Sequence, residues 1–144
     1  VGNLQPRSKL LWSLAASGLG TTLSAAGNSG SWDGTLPGWP PSADAETPVD
    51  LREITDVVLM VTVAGVTGSP AFTVNLDLYD NLGNLFPAVL STAALSAAGS
   101  KTVTGGLHGG SASTYLVLPD WGRVSWSITN STSVSGAQIA LYGR

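Results

Sequence analysis

Apolar and polar residues alternate most regularly over residues 72–79, where Phe72, Val74, Leu76 and Leu78 share one face and Thr73, Asn75, Asp77 and Tyr79 the other. A period of two over eight positions predicts a half-buried antiparallel strand. The run closes in Asp80-Asn-Leu-Gly-Asn84, residue types that tolerate left-handed backbone and bond their own main chain, so a hairpin turn is predicted there. Residues 123–129 repeat the alternation, with Val124, Trp126 and Ile128 inward. Residues 54–66 are apolar at consecutive positions from Val57 to Val61, which predicts a central strand buried on both faces. Shorter strands are predicted at 9–17, 20–26, 85–90, 100–104, 115–118 and 137–142. The 115–118 strand is expected to pair with 123–129 through the corner 119–122, with 105–113 a flexible glycine loop and 130–136 a turn. Seven to nine short strands with this punctuation imply an all-β fold, an antiparallel, jelly-roll-like β-sandwich.

The first fifty residues read differently. Residues 1–8 have the look of an N-terminal arm, carrying Leu4, Pro6 and Arg7, ahead of a single sandwich domain over 9–144. Residues 27–50 form a long irregular loop with Trp32, Asp33, Pro37, Trp39, Pro40, Pro41 and Pro48. Proline removes a backbone donor and fixes φ, so this segment is not expected to pair as a central strand. Structureless segments of this length inside a compact domain are uncommon and tend to carry function.

Composition narrows the classes. Charged residues are 10 % of the chain while hydrophobic ones are 43 %, against roughly 25 % charged in ordinary soluble domains. Such a neutral, hydroxyl-rich surface suits close packing against neighbours, and equally a secreted β-domain. The net charge is −3 and basic residues do not cluster, which argues against nucleic acid as a partner. There is no cysteine, so stability must come from packing rather than disulfides. No apolar run approaches the roughly 18 residues of a membrane span, and the start lacks the order of a signal peptide. A soluble protein without a cleavable leader or a membrane partner is the expectation.

Reactive chemistry is sparse. Asp44, Glu46, Asp50, Glu53 and Asp56 crowd together with Arg52 and read as a solvated linker. His108 is the only histidine and sits among glycines. It reads as a solvated loop residue, and a metal site needing two or more His or Cys ligands is excluded by count. The oxygen-rich stretch from Asp77 to Asn84 lacks a calcium loop's terminal glutamate and reads as a turn. Asn130-Ser-Thr132 fits a glycosylation sequon but also the hydroxyl chemistry of a turn. No catalytic, metal or cofactor residue is therefore assigned, and an enzyme is not expected. Trp12 and Trp126 are expected in the core and Trp121 half-exposed at a hairpin tip. Trp32 and Trp39 are the most arguable interaction element, since tryptophan on a proline-stiffened loop docks partners at low ordering cost. Capping of the sandwich and stacking on a sugar remain open for the same rings.

The string from Val61 to Arg144 resembles a group of small tailed-bacteriophage virion proteins. The likeness runs through an apolar strand ending Val63-Ala-Gly-Val-Thr-Gly-Ser-Pro70 and the alternating strand into Asp80-Asn-Leu-Gly83. It continues with the corner Leu118-Pro119, the segment Arg123-Val-Ser-Trp126 and a Ser/Thr/Gly stretch into the last apolar strand. The resemblance implies a structural role: a decoration protein on the outer capsid surface of the virion, with the major capsid protein and further copies of itself as partners, in a trimer or other symmetric oligomer. A neck or tail component is the variant within that group. A carbohydrate-binding β-sandwich using Trp32, Trp39 and Trp121 is the alternative outside it. Under the leading reading, Leu4, Pro6, Arg7, Trp32, Asp33, Pro37, Trp39 and Pro40 are the expected partner contacts.

Overall fold

The computed structural model describes residues 8–14, 20–30, 48–108 and 116–144, and of 68–70 and 130–132 the backbone only. Residues 1–7, 15–19, 31–47 and 109–115 lie outside it, and with them Leu4, Pro6, Arg7, Trp32, Asp33, Pro37, Trp39 and Pro40. Among the described residues nine antiparallel strands form the predicted β-sandwich. They are β1 (Lys9–Leu14), β2 (Thr21–Leu23), β3 (Gly27–Asn28), β4 (Val49–Asp50), β5 (Asp56–Val63), β6 (Gly65–Tyr79), β7 (Leu85–Ser91), β8 (Gly99–Gly106) and β9 (Trp121–Gly143).

One strand organises the others. The 123–129 and 137–142 strands expected from the sequence are parts of a single 23-residue strand, β9. The predicted turn at 130–136 is paired backbone, with β6 opposite it. Along one edge, β5 and β6 pair with β9 in almost unbroken register, from Val57↔Gly143 through Gly65↔Ser135 to Tyr79↔Trp121. Along the other edge the N-terminal segment follows in pieces: β1 near Gly143, β2 near Ala137, β3 at Trp126 and β4 at Gly122. The long irregular loop is thus pinned at both ends, because Gly27–Asn28 and Val49–Asp50 are paired. Of the 115–118 strand expected to pair with 123–129, residues 116–118 are described and form no strand; β3 and β6 occupy the two edges of that stretch.

The ladder passes from one sheet to the other midway. The first sheet holds β1, the C-terminal part of β9, β5 and β8; the second holds β2–β4, the N-terminal part of β9, β6 and β7. The inward face switches at the crossing. Val57, Leu59, Val61 and Val63 are buried on β5, whereas Phe72, Val74, Leu76 and Leu78, of opposite parity, are buried on β6. On β9 the switch falls between Val134 and Ala137, followed by Ile139 and Leu141. Gly136 has φ 60° there, and Gly20, at φ 78°, crosses it so closely that a Cβ would lie 2.5 Å from the Gly136 carbonyl carbon. A left-handed backbone at that spacing admits only glycine. Trp12 and Trp126 stack between the sheets with ring centroids 6.3 Å apart, half-buried against the core.

Two predicted burial patterns are corrected. β5 is not covered on both faces: Met60 is 42 % exposed, because nothing described packs on the outer face of the first sheet. Conversely, Asp77 and Tyr79 were expected on the outward face and Trp121 half-exposed at a hairpin tip, but all three are buried, Trp121 to 2 % exposure. Their end of the second sheet is covered. Arg52 lies 4.9 Å over the Trp121 ring, and β7 bulges opposite Asp77. In that bulge Ala88, at φ 53°, donates its N–H to Asp77 Oδ1 at 2.7 Å, while Arg123 Nε donates to Oδ2 at 2.7 Å. Thr92 continues the edge by donating its N–H to the Val74 carbonyl.

The buried carboxylate thus fixes the β7 bulge and neutralises Arg123 at once. Removing one member of a buried pair strands the other charge, at a cost of about 3–5 kcal/mol. Asp77→Ala is expected to lose stability on that scale in urea unfolding, and a change below about 0.5 kcal/mol would contradict the assignment. Gly20→Ala is expected to cost at least about 2 kcal/mol, since both the backbone angle and the space exclude a side chain; calorimetry measures it.

Candidate functional site

Charged groups converge where the ends of β5, β8 and β9 meet. Asp56 opens β5 opposite Gly106 of β8. Gly106 has φ 128°, and a Cβ on it would strike the Thr55 carbonyl oxygen. That glycine lets the chain turn back, so that Leu107 donates its N–H to Thr55 O and His108 reaches Asp56. The His108 N–H donates to Asp56 Oδ1 at 2.7 Å, and its ring Nδ1 sits 3.0 Å from Oδ2. Arg144 Nε lies 3.5 Å from the same oxygen, and the Thr55 hydroxyl donates to it at 3.3 Å. Backbone bonds complete the clamp: Thr55 and Asp56 donate to the Arg144 carbonyl, and Arg144 donates to Asp56 O.

Burial of Asp56 would by itself raise its carboxyl pKa. The His108 N–H, the His108 ring and the Thr55 hydroxyl outweigh that and hold it below the usual carboxylate range. A cleft of about 430 Å³ opens beside the cluster, with Ser8, Thr104 and Tyr142 among its walls. An imidazole backed by a carboxylate can serve as a general base when its second nitrogen meets a nucleophile. Here no hydroxyl is bonded to the His108 ring among the described residues, and the ring side chain is 65 % exposed. The geometry is that of a clamp joining three strand ends.

Two expectations change accordingly. His108, read as a solvated loop residue, is exposed but tied by two contacts to Asp56. The acidic stretch, read as a solvated linker, contributes paired carboxylates: Asp56 here, and Asp50, which the bidentate Arg52 guanidinium holds below its ordinary pKa against partial burial. The turn at 80–84 forms as expected, its Asp80 carboxylate accepting from Asn84 Nδ2 and from the N–H groups of Leu82 and Asn84. Among the described residues no three His, Cys, Asp or Glu side chains group closely enough to hold a metal ion.

A second feature is the outer face of the first sheet. Cross-strand rows there run Leu10–Tyr142–Val58–Thr104 and Ser13–Ala140–Met60–Thr102, followed by Gln138–Thr62–Ser100. No charged side chain lies in these rows. Leu10 and Met60 are 48 % and 42 % exposed, and a shallow groove of about 260 Å³ runs between them.

The expected contact residues of the arm and the Trp/Pro loop lie outside the described residues, but their attachment points do not. Ser8, Gly30 and Pro48 all adjoin strands β1–β4, which form one edge of the sandwich, and β1 lies against β4. The opposite edge is made by β7 and β8, where Leu90 packs into the space left by Gly105. Neither the models of known protein families nor the curated proteins contain a match to this chain.

The clamp has a pH signature. Asp50, Asp56 and Asp80 all have lowered carboxyl pKa values. Their contribution to stability is therefore complete above about pH 4, the unfolded value, and is lost as pH falls through the lower folded values. Asp56→Asn carries no charge at any pH and is expected to flatten part of this acid loss in melts followed by circular dichroism. Superimposable acid profiles for the two proteins would contradict the clamp.

Proposed function

We propose that this chain is a structural bacteriophage virion protein, a capsid decoration protein that binds the outer surface of the head and stabilises it. The observation that supports the reading best is the placement of the two atypical segments. The arm and the Trp/Pro loop both leave from the β1–β4 edge, so a single docking event can engage both. The sandwich behind them has low surface charge, and its phage-like pattern runs from Val61 to Arg144. The mechanism is mass action: contacts present only in the assembled shell lower the free energy of that state relative to the disassembled one. The arm supplies Leu4, Pro6 and Arg7 to the major capsid protein. Trp32 and Trp39 act as anchors, with Asp33, Pro37 and Pro40 shaping the loop.

Binding to preformed heads of the encoding phage tests the reading. Saturable binding at a stoichiometry set by the lattice is expected, with a raised temperature of shell disruption. Trp39→Ala is expected to weaken binding by about tenfold or more, the scale of a hot-spot residue. Absence of binding to the heads, at any concentration reached, overturns the proposal.

A further inference from the structure

The outer face of the first sheet has the properties of a self-complementary surface, and we infer that two copies of this chain pair face to face across it. The inference deepens the virion reading, which calls for self-association, and rests on that reading for its setting, a shell surface where copies are crowded.

The rows through Leu10–Tyr142–Val58 and Ala140–Met60 form an apolar centre, and Ser13, Thr62, Ser100, Thr102 and Thr104 form a hydroxyl margin. The chain carries a net charge of −3, so most pairings of two copies oppose like charges. Its three rows hold no charged side chain. Asp56 and Arg144, which continue the face at one end, carry opposite charges and pair with each other, so contact across the rows avoids that repulsion. Most of its side chains are also short, as close packing of two sheets at about 10 Å requires. Among the described residues, the remaining exposed large apolar ones, Leu82, Phe86, Leu107 and Val117, are on turns, on an edge strand or in irregular segments.

The β7–β8 edge is poorly suited to the rival mode, strand addition. β7 carries Pro87 and the kinked Ala88, and β8 places Lys101 at the rim. Proline, bulges and edge lysines are devices that discourage edge-to-edge pairing. The face remains.

Area sets the strength. Four strands about 4.8 Å apart and six to eight residues long, at about 3.3 Å per residue, present roughly 400–500 Å² per copy. A pair therefore covers on the order of 1,000 Å² in total, at the lower limit of specific interfaces. The contact is a weak, concentration-dependent dimer. A flat face opposed to itself is related by a two-fold axis, so copies meet in pairs through it, and any trimer needs another surface.

Sedimentation velocity over a micromolar concentration series, on the free protein without capsids, tests the inference. The wild type is expected to shift from monomer to dimer. Met60→Lys and Thr102→Lys, each placing a charge on the face, are expected to weaken dimerisation by about tenfold or more; Val117→Lys, elsewhere, leaves it unchanged. Two face variants guard against a folding defect in one, and unchanged melting temperatures confirm that both fold. A wild type that stays monomeric, or face variants that dimerise like the wild type, overturns the inference whatever capsid binding shows. Failure to bind heads with the dimer intact overturns the decoration role alone.

Discussion

Pairing of β9 along nearly its whole length on one edge, and in pieces on the other, is the constraint from which the remaining structure follows. A strand of 23 residues far exceeds the usual five or six, and isolated it would expose two long rows of unpaired amides. The β5–β6 pair satisfies one row in almost unbroken register. The N-terminal segment satisfies the other in pieces. Since a one-residue slip would turn every inward side chain outward, the inward sets on both halves lock the register together. The change of inward parity at Ala64–Gly65 and Ser135–Gly136 lets one ladder serve two sheets. Gly20 and Gly136 are glycines because two backbones cross at that point.

Such a spine gives the molecule two unlike edges. β7 and β8 close one of them with a proline, a kink held by Asp77 and a rim lysine. The other is assembled from four short strands, and the segments outside the described residues, 1–7 and 31–47, join it at Ser8, Gly30 and Pro48. The Asp56 clamp belongs to the scaffold, since it gathers the ends of β5, β8 and β9 at one corner.

Much of this was legible in the sequence where side-chain period carries the information. The alternation over 72–79 and 123–129 marks strands directly, and Asp80–Asn84 announces its turn. Continuity was not legible. The Ser, Thr and Gly residues of 130–136 look like punctuation, yet they are paired backbone whose partner lies more than sixty residues away. Parity assigns a side chain to a face but does not say whether that face is covered. Hence Asp77 and Tyr79 were placed correctly on the second face and wrongly in solvent, and Trp121, expected half-exposed at a hairpin tip, is a buried strand residue. The Asp56–His108 contact spans 52 residues and has no local signal. Asp77 and Arg123 become a visible pair only once the register sets them opposite each other. The Trp/Pro loop, predicted irregular over 27–50, is instead paired backbone at its first two and last two residues, Gly27–Asn28 and Val49–Asp50.

Native-state amide hydrogen exchange along β9 tests the central claim most directly. If one doubly paired strand holds both sheets, the amides of Val124, Val134, Ile139 and Leu141 open together, with one free energy close to that of global unfolding. Two separate levels of protection, one for 121–129 and one for 137–143 with unprotected amides between, would mean two strands joined by a turn, and would contradict the account.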